Sequence, residues 1–569
     1  MRIEQQRGFL IITGKITTDT FTILKEVPSS WRKWEGRVLK CRPDPSAIVY
    51  LDKNFPDAEW VGKDVNALLN DAKRNASLAE LVATSKRSLL EDDGKYEYKT
   101  VPRDHQRQAF LLSRDSEYFA LLMEMGTGKT KVGLDTACYL HRNRKIDVLL
   151  IIAPPGVNRQ WITEQIPDHY PEDVDTLIWR PTHPKYYQKQ MDAILEPSSR
   201  LRVLSMNVEA IRTRKGYEFS DRFLRTNGVG GMMILDESTI IKNDTAAQSI
   251  AARKLGLLCK YRRIMSGAPV TRGMEDMFGQ LNFLSSSILG LRTMTAFKHT
   301  YCYLEPIPGA PKYATKITGY RNIDEFQRKI AGYSFRVLKS DCTDLPEKTY
   351  MRVEVPLDKA QLAAYDQMRD EMLAELEDGT RITASIKIAN LIKLSQIACG
   401  IIRDEEGIPH LISTTRHKRA IDLVEQNSGQ IVLWARFKPD FVALAAELTK
   451  RGITFVEYHG GVRSGDREVN KQAFLSGSHR VFLGQPQSGG RGLNLQCADT
   501  SIYFSNSYDA DQRWQSEDRI HRDGQQSDKC LYLDIIAPGT VDSKILDSLA
   551  VKQDIADAVN GTGYREFLI

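Results

Sequence analysis

Short apolar runs, each closed by a turn-forming or polar cluster, recur between residues 100 and 540 and alternate with segments of helical periodicity. The first, Phe119–Met123, is followed by Gly126-Thr127-Gly128-Lys129-Thr130 and a helix-like stretch from Lys131 to His141. Further runs lie at 147–155, 201–207, 231–235 and around Ile264; a second series lies at 430–434, 454–458, 480–483, 500–504 and 530–536. Such alternation predicts an α/β fold of two lobes, each built on a parallel sheet with its ligands beyond the carboxyl ends of the strands. Between the series, Met274–Ser340 reads as helical and aromatic and Leu345–Thr349 as a linker. Residues 1–97 stand apart as a small β-rich α+β domain: Gly8–Gly14 and Thr20–Leu24 read as strands, Asn66–Leu90 as a helix. The expected organisation is therefore an N-terminal domain over 1–97, a first lobe over 98–345 and a second over 346–569.

Length and composition narrow the class. A chain of 569 residues is too long for one core, and length alone suggests roughly three or four domains. The net charge of +6, from 79 basic and 73 acidic side chains, permits a nucleic-acid partner without requiring one, because a binding groove needs local charge. The 8 cysteines form no Cys-x-x-Cys pair and no zinc-like spacing with histidine, which reads as reduced thiols in a cytosolic protein. No apolar run approaches the ~20 residues of a membrane span, and the N-terminus lacks a signal-peptide core. The expectation is a soluble, non-secreted monomer without a membrane partner.

The glycine-rich turn has the build of a phosphate cradle. Gly126, Thr127 and Gly128 let backbone N–H groups approach a triphosphate at a helix N-terminus, Lys129 reaches the β and γ phosphates, and Thr130 can ligate magnesium. Met123 stands where the usual pattern has its first glycine. A bare glycine turn would explain Gly126 and Gly128 but not a Lys-Thr pair opening a helix. Upstream, Gln106 can read an adenine edge with its amide. The run ending in Asp236-Glu237 supplies one carboxylate, Asp236, to hold magnesium through water and another, Glu237, to orient and deprotonate the attacking water. ATP and magnesium are the cofactors so implied. Ser205 and Asn207, ending another run, can meet a phosphodiester. Trp31 and Trp34, interleaved with basic residues, can stack bases, although tryptophans in a small β domain also serve as core. In the second lobe, Arg519 and Arg522 are three apart, hence neighbours on one helical face, and can clamp a γ-phosphate; Glu517 and Asp518 would instead suit a solvated salt-bridging face.

In this order the motifs resemble helicase superfamily 2 and, within it, the Swi/Snf family of double-stranded-DNA translocases, over roughly residues 100 to 550. Met123–Thr130 is similar to motif I, Ala153-Pro154-Pro155 with Gln160, Trp161 and Glu164 to motif Ia, Asp236–Asn243 to motif II and Ser266–Thr271 to motif III. Thr239 replaces a typical histidine, and its hydroxyl can still bond towards Ser266. Tyr458–Gly461, Gly489–Gln496 and Gln515–Gln525 resemble motifs of the second lobe. The resemblance implies two RecA-like lobes with helical protrusions, and DNA contacts by Pro154, Gln160 and Trp161. It places Gly489, Gly490, Gly492 and Asn494 near the cleft and the DNA backbone, Gly492 on its nucleotide side, and turns Gln515, Arg519 and Arg522 to the nucleotide. Val27-Pro28, Trp31, Trp34 and Phe55–Trp60 weakly resemble the HARP-like module of annealing helicases.

The implied protein is a DNA-stimulated ATPase that moves along duplex DNA and remodels forked or branched substrates, in a bacterial or phage-infected cytoplasm, or in the nucleus if eukaryotic. A strand-separating helicase, a restriction or defence translocase subunit, and an ATP-gated DNA clamp are the alternatives.

Overall fold

The apolar runs fold as strands of two parallel sheets. The computed structural model describes residues 1–6, 9–15, 17–27, 32–36, 38–41, 45–62, 65, 69–70, 72–73, 77, 91–155, 157–181, 185–271, 273–307, 314–339, 342, 345–377, 384–404, 406–489, 493–522 and 524–560. The chain divides into two compact units, Met1–Leu338 and Lys339–Ile569.

The first unit opens with a five-stranded sheet in the order β3-β4-β2-β1-β5: β1 (Arg2–Gln6), β2 (Phe9–Thr13), β3 (Arg32–Glu35), β4 (Val38–Cys41) and β5 (Glu59–Val61). Thr20–Leu24, read above as a strand, lies instead in helix α1 (Thr18–Glu26). The Thr17 side chain caps that helix by accepting from the Thr20 N–H at 3.2 Å, and Leu24 and Val27 are buried at helical spacing. Capping and burial outweigh the β-propensity of a Thr-x-Thr alternation. Helix α2 (Pro45–Asn54) completes the core with Ile48 and Leu51. Most of the expected helix at Asn66–Leu90 lies outside the described residues.

The larger sheet of this unit has seven strands, all parallel, in the order β14-β6-β11-β10-β7-β9-β8. They are β6 (Tyr118–Met123), β7 (Val148–Ala153), β8 (Val174–Ile178), β9 (Leu201–Asn207), β10 (Gly231–Asp236), β11 (Tyr261–Met265) and β14 (Ser334–Val337). Every residue of β7 and β10 is buried, as continuous rather than alternating apolar runs require of strands covered on both faces. Because the strands are parallel, the segments leaving β6, β7, β9, β10 and β11 emerge at one edge. The Met274–Ser340 interval is not wholly helical: it contains a hairpin of β12 (Cys302–Pro306) and β13 (Thr315–Tyr320), and β14 itself. Tertiary pairing with β6 decides that strand, a partner that local pattern does not reveal.

The second unit has a six-stranded parallel sheet in the order β15-β22-β21-β18-β20-β19. Its strands are β15 (Glu347–Glu354), β18 (Gln430–Trp434), β19 (Phe455–Tyr458), β20 (Val481–Gly484), β21 (Ala498–Tyr503) and β22 (Lys529–Ile536); a short hairpin, β16 (Ile401–Arg403) with β17 (Pro409–Leu411), stands outside it. The supposed linker therefore runs into a strand, since Glu347–Thr349 pairs in register with Lys529–Leu531 of β22. Helices Lys359–Glu377 and Ala384–Ala398 lie between β15 and β16. Among the described residues no helix is long and apolar enough to cross a membrane.

Candidate functional site

The loop leaving β6 is shaped by two glycines in the left-handed region, Gly126 at φ 82° and Gly128 at φ 87°. That conformation is strained for residues with a Cβ, and a Cβ on Gly128 would also collide with the Gln106 amide. Helix α4 (Lys129–Arg142) starts at once, so the free N–H groups of its first turn face the loop. Lys129 is buried, its ammonium donating to the carbonyls of Met123 at 2.8 Å and Glu124 at 3.2 Å. Thr127 is buried with its hydroxyl on the Glu124 carbonyl, and Thr130 is half-buried in the first turn of α4.

Gln106 sits on helix α3 (Asp104–Ser113) against this loop. Its amide oxygen accepts from the N–H of Arg103, the cap of its own helix, at 3.0 Å, and its amide nitrogen donates to the Thr127 carbonyl at 3.1 Å, so one end caps the helix and the other braces the loop. His105 adds a 2.8 Å hydrogen bond to the same carbonyl, and burial lowers its pKa.

Asp236 and Glu237 end β10, separated in the sheet from β6 by β11 alone. With strand spacing near 4.8 Å, the two strand ends are about 10 Å apart. The buried Asp236 accepts from the Trp161 indole N–H at 2.8 Å and from the Glu237 N–H at 3.0 Å. Burial and then the Glu237 charge raise the Asp236 carboxyl to about 6, against the pull of Trp161 and Lys129. Glu237 is half-buried with φ 51°, a left-handed conformation costing an ordinary residue about 1–3 kcal/mol and common at functional sites. The Thr130 hydroxyl and the Asp236 carboxylate are hard oxygen donors of the kind magnesium takes. The raised Asp236 pKa marks a buried charge that a dication would offset, so these residues fit the ion.

Several expected DNA contacts are displaced. Trp161, in a π-helical turn over Trp161–Gln165, is only 1% exposed and serves Asp236; it does not present a face to DNA. Pro154 is buried, and Ser205 is fully buried with its hydroxyl donating to the Asn158 carbonyl at 2.7 Å, so neither meets a phosphodiester. These residues follow or end apolar strands, and the same apolar packing that makes the strand encloses them. Asn207 is half-buried and caps the next helix, accepting from the Ala210 N–H at 2.8 Å; Gln160 is also half-buried. Trp34 packs at the edge of the N-terminal core, 5.3 Å from the Phe21 ring, while Trp31 lies outside the described residues.

The bond from Thr239 to Ser266 is absent: Ser266 Oγ accepts from the Ala268 N–H at 3.2 Å. The link between the segments after β10 and β11 is made by other residues of those two stretches and by Gln280, which the sequence pattern did not single out. Ser238 donates to Gln280 at 2.6 Å, Gln280 donates to the Pro269 carbonyl at 2.7 Å, and Lys242 donates to the Thr271 hydroxyl at 2.5 Å. A lone glutamine among Met277, Phe278, Leu281 and Phe283 was the available signal.

In the second unit, helix α6 (Ala510–Glu517) ends before the two arginines. Arg519 and Arg522 therefore do not share a helical face. They converge nonetheless, both donating to the Leu493 carbonyl, at 2.9 Å and 3.2 Å, and Arg519 also to the Gln515 carbonyl at 2.7 Å. Gln515 is buried, its amide donating to Asp511 at 2.9 Å. Glu517 and Asp518 do not form a solvated face: Glu517 pairs with Arg513 at 2.7 Å and Lys348 at 3.3 Å, Asp518 with Lys339 at 2.6 Å. Burial pushes both carboxyls up, but the cations outweigh it and hold both below the usual range. Asn494 is half-buried beside Leu493, Gly489 ends a short helix (Pro486–Gly489), and Gly490 and Gly492 lie outside the described residues.

Residues 105–400 match the family model described as the SNF2-related domain, and 415–524 match the helicase conserved C-terminal domain. The SWI/SNF chromatin-remodeling complex subunit snf22 of Schizosaccharomyces pombe is 24% identical over 469 residues, covering 77% of this chain and 26% of that protein. The DNA annealing helicase and endonuclease ZRANB3 of Mus musculus is 24% identical over 480 residues, covering 82% of this chain and 41% of that protein. The chain thus spans between 26% and 41% of the length of these relatives. The Sulfolobus solfataricus SWI2/SNF2 ATPase core in complex with dsDNA aligns over 84% of this chain and 96% of that one, at 19% identity and a TM-score of 0.37, a global likeness too weak to bear on function.

Proposed function

This chain belongs to the SNF2-related family, and from that premise we propose that it is a DNA-stimulated ATPase that moves along double-stranded DNA. The observation carrying the reading is the arrival of the Gly126–Thr130 loop and the Asp236-Glu237 pair at one edge of one parallel sheet, a single strand apart.

In this reading Lys129 leaves its carbonyl partners to hold the β and γ phosphates, and N–H groups of the loop and of the first turn of α4 bind phosphate oxygens. Thr130 and Asp236 would hold magnesium, which offsets phosphate charge. Glu237 accepts a proton from the attacking water as its oxygen bonds to the γ phosphorus and the bond to ADP breaks. Arg519 and Arg522 stabilise the charge on the transferring group, and Gln106 and Gln515 border the nucleotide. Trp161 acts by orienting Asp236.

DNA contacts are assigned to Gln160, Asn207, Gly489, Gly490 and Asn494, and Gly492 to the nucleotide side. Binding through phosphates is sequence-independent and strongly salt-dependent. The finer reading is that residues 1–97 form a HARP-like domain, with Trp34 and Trp31 selecting forked or branched DNA, ahead of motor lobes at 98–345 and 346–569. The likeness to a protein named a DNA annealing helicase supports it. Such a motor acts as a monomer where DNA is, in a bacterial or phage-infected cytoplasm or a nucleus.

The test is ATP-driven displacement of a triplex-forming strand, run beside a tailed duplex and a four-way junction. Triplex displacement and junction migration without separation of the tailed duplex support a remodelling translocase. Separation of the tailed duplex makes it a strand-separating helicase, and failure to displace the triplex removes the motor.

A further inference from the structure

Helix α5 (Asp276–Leu284) is mostly apolar, yet two of its fully buried side chains, Asp276 and Gln280, are polar. Buried polar groups are costly unless hydrogen-bonded, so their partners report their task. Gln280 Oε1 accepts from the Ser238 hydroxyl at 2.6 Å, and its Nε2 donates to the carbonyls of Pro269 at 2.7 Å and Asp276 at 2.9 Å. Ser238 directly follows Glu237, and Pro269 lies in the loop after β11. Asp276 ties the same two segments again: it accepts from the Thr271 N–H at 3.0 Å and hydroxyl at 2.9 Å, and the Lys242 ammonium donates to that hydroxyl at 2.5 Å and lies 3.9 Å from the Asp276 carboxylate. The helix lies so close to the turn after β10 that a Cβ on Gly279 would collide with the Ile241 carbonyl.

We propose that Gln280 is a positioning residue for Glu237: through Ser238 it fixes the backbone turn that aims the Glu237 carboxylate, and it ties that turn to the loop after β11. The proposal rests on Glu237 being the group that orients the attacking water. Glu237 has φ 51°, which an ordinary residue keeps only where its neighbours over-determine it. Trp161 holds the residue before it, Asp236, and Gln280 holds the residue after it, Ser238. Release of Ser238 lets the turn relax and moves the carboxylate, while Lys129, at the start of α4, keeps its place. A displacement of about 1 Å at a reacting group costs on the order of 100-fold in rate.

The experiment measures steady-state ATP turnover and ATP KM with saturating duplex DNA for the full chain and for Glu237→Gln, Ser238→Ala, Gln280→Met and the Ser238→Ala/Gln280→Met double variant. Expected is a fall in kcat of about 10-fold or more in each single variant of the link, with KM moving less than about twofold. The double variant is no slower than the slower single one, because both changes remove the same bond. A merely structural role would lower the active fraction, which also cuts apparent kcat at constant KM, so turnover is normalised to the fraction of chains that bind a fluorescent ATP analogue; a fall that disappears on normalisation overturns the proposal. Ser238→Ala turning over within about twofold of the parent, or a double variant slowed by the product of the two single effects, overturns the proposal. Ser238→Ala decides the matter if Gln280→Met does not fold. Glu237→Gln separates the two failures: inactive Glu237→Gln beside unaffected Ser238→Ala removes the role of Gln280 alone, whereas Glu237→Gln at the parent rate removes the reading of Glu237 on which it rests.

Discussion

The indole N–H of Trp161 donates to a carboxylate oxygen of Asp236 across 2.8 Å, with both side chains buried. The tryptophan that follows β7 is thereby part of the acid site at the end of β10. A hydrogen bond to a charged acceptor contributes about 1.5–3 kcal/mol. Trp161→Phe removes the donor and keeps an aromatic ring, and should lower ATP turnover by about 10-fold or more. DNA affinity without nucleotide, read from a salt titration of binding, should stay at the parent level. Weakened DNA binding with full turnover at saturating DNA would instead make Trp161 a DNA contact.

Gly128 combines φ 87° with a close approach to the Gln106 amide. Gly128→Ala should weaken binding of a fluorescent ATP analogue by about 10-fold or more, the equivalent of about 1.4 kcal/mol or more, because a Cβ is strained at this φ and displaces the Gln106 amide that braces the loop. Circular dichroism should show the fold retained. Unchanged nucleotide affinity would detach this loop from the nucleotide.

Arg519 and Arg522 share the Leu493 carbonyl but differ in burial, Arg519 being 2% exposed and Arg522 half-buried. Arg522→Ala should abolish most turnover with little change in melting temperature. Arg519→Ala should do the same and also lower Tm, because it leaves the buried carbonyls of Gln515 and Leu493 short of a donor. Turnover at the parent level in both variants would remove the arginines from the reaction.

His521 contributes a pH dependence of known sign. Burial, then Lys348 and Lys339, lower its pKa to about 4, while its Nε2 hydrogen-bonds the Pro346 carbonyl at 2.9 Å. An unfolded histidine titrates near 6.5. Between these values the unfolded chain binds a proton that the native chain does not, so stability is lost as pH falls from about 6.5 towards about 4, by up to about 3 kcal/mol. His521→Gln, whose amide can still donate, should melt with a shallower dependence on pH over that interval. Parallel curves for the two proteins would contradict this.

The sequence exposed the parts of the site that depend on strand ends. Lys129, Thr130, Asp236 and Glu237 are legible because a buried parallel strand is a continuous apolar run and the residues leaving its carboxyl end are displayed there. What the pattern could not convey is which of those residues the next layer covers. Pro154 directly follows β7, Trp161 lies in the helical turn beyond it and Ser205 lies within β9, and all three are buried, while Gln106 is turned onto Thr127. Gln280 and Lys242 act across more than one element, through hydrogen bonds that no local periodicity encodes. The same limit explains Thr20–Leu24, where a cap at Thr17 overrode alternation, and Glu347–Thr349, whose partner β22 lies far along the chain. Arg519 and Arg522 meet because a turn after α6 brings both to Leu493, not because they share the helical face their spacing implied.

The most direct test of the account is ATP turnover measured with and without duplex DNA at saturating nucleotide, for the parent chain and Glu237→Gln. The account expects duplex DNA to stimulate hydrolysis by the parent, in a salt-dependent way, and Glu237→Gln to be inactive with or without DNA. Hydrolysis that ignores duplex DNA, or that continues at the parent rate in Glu237→Gln, would contradict it.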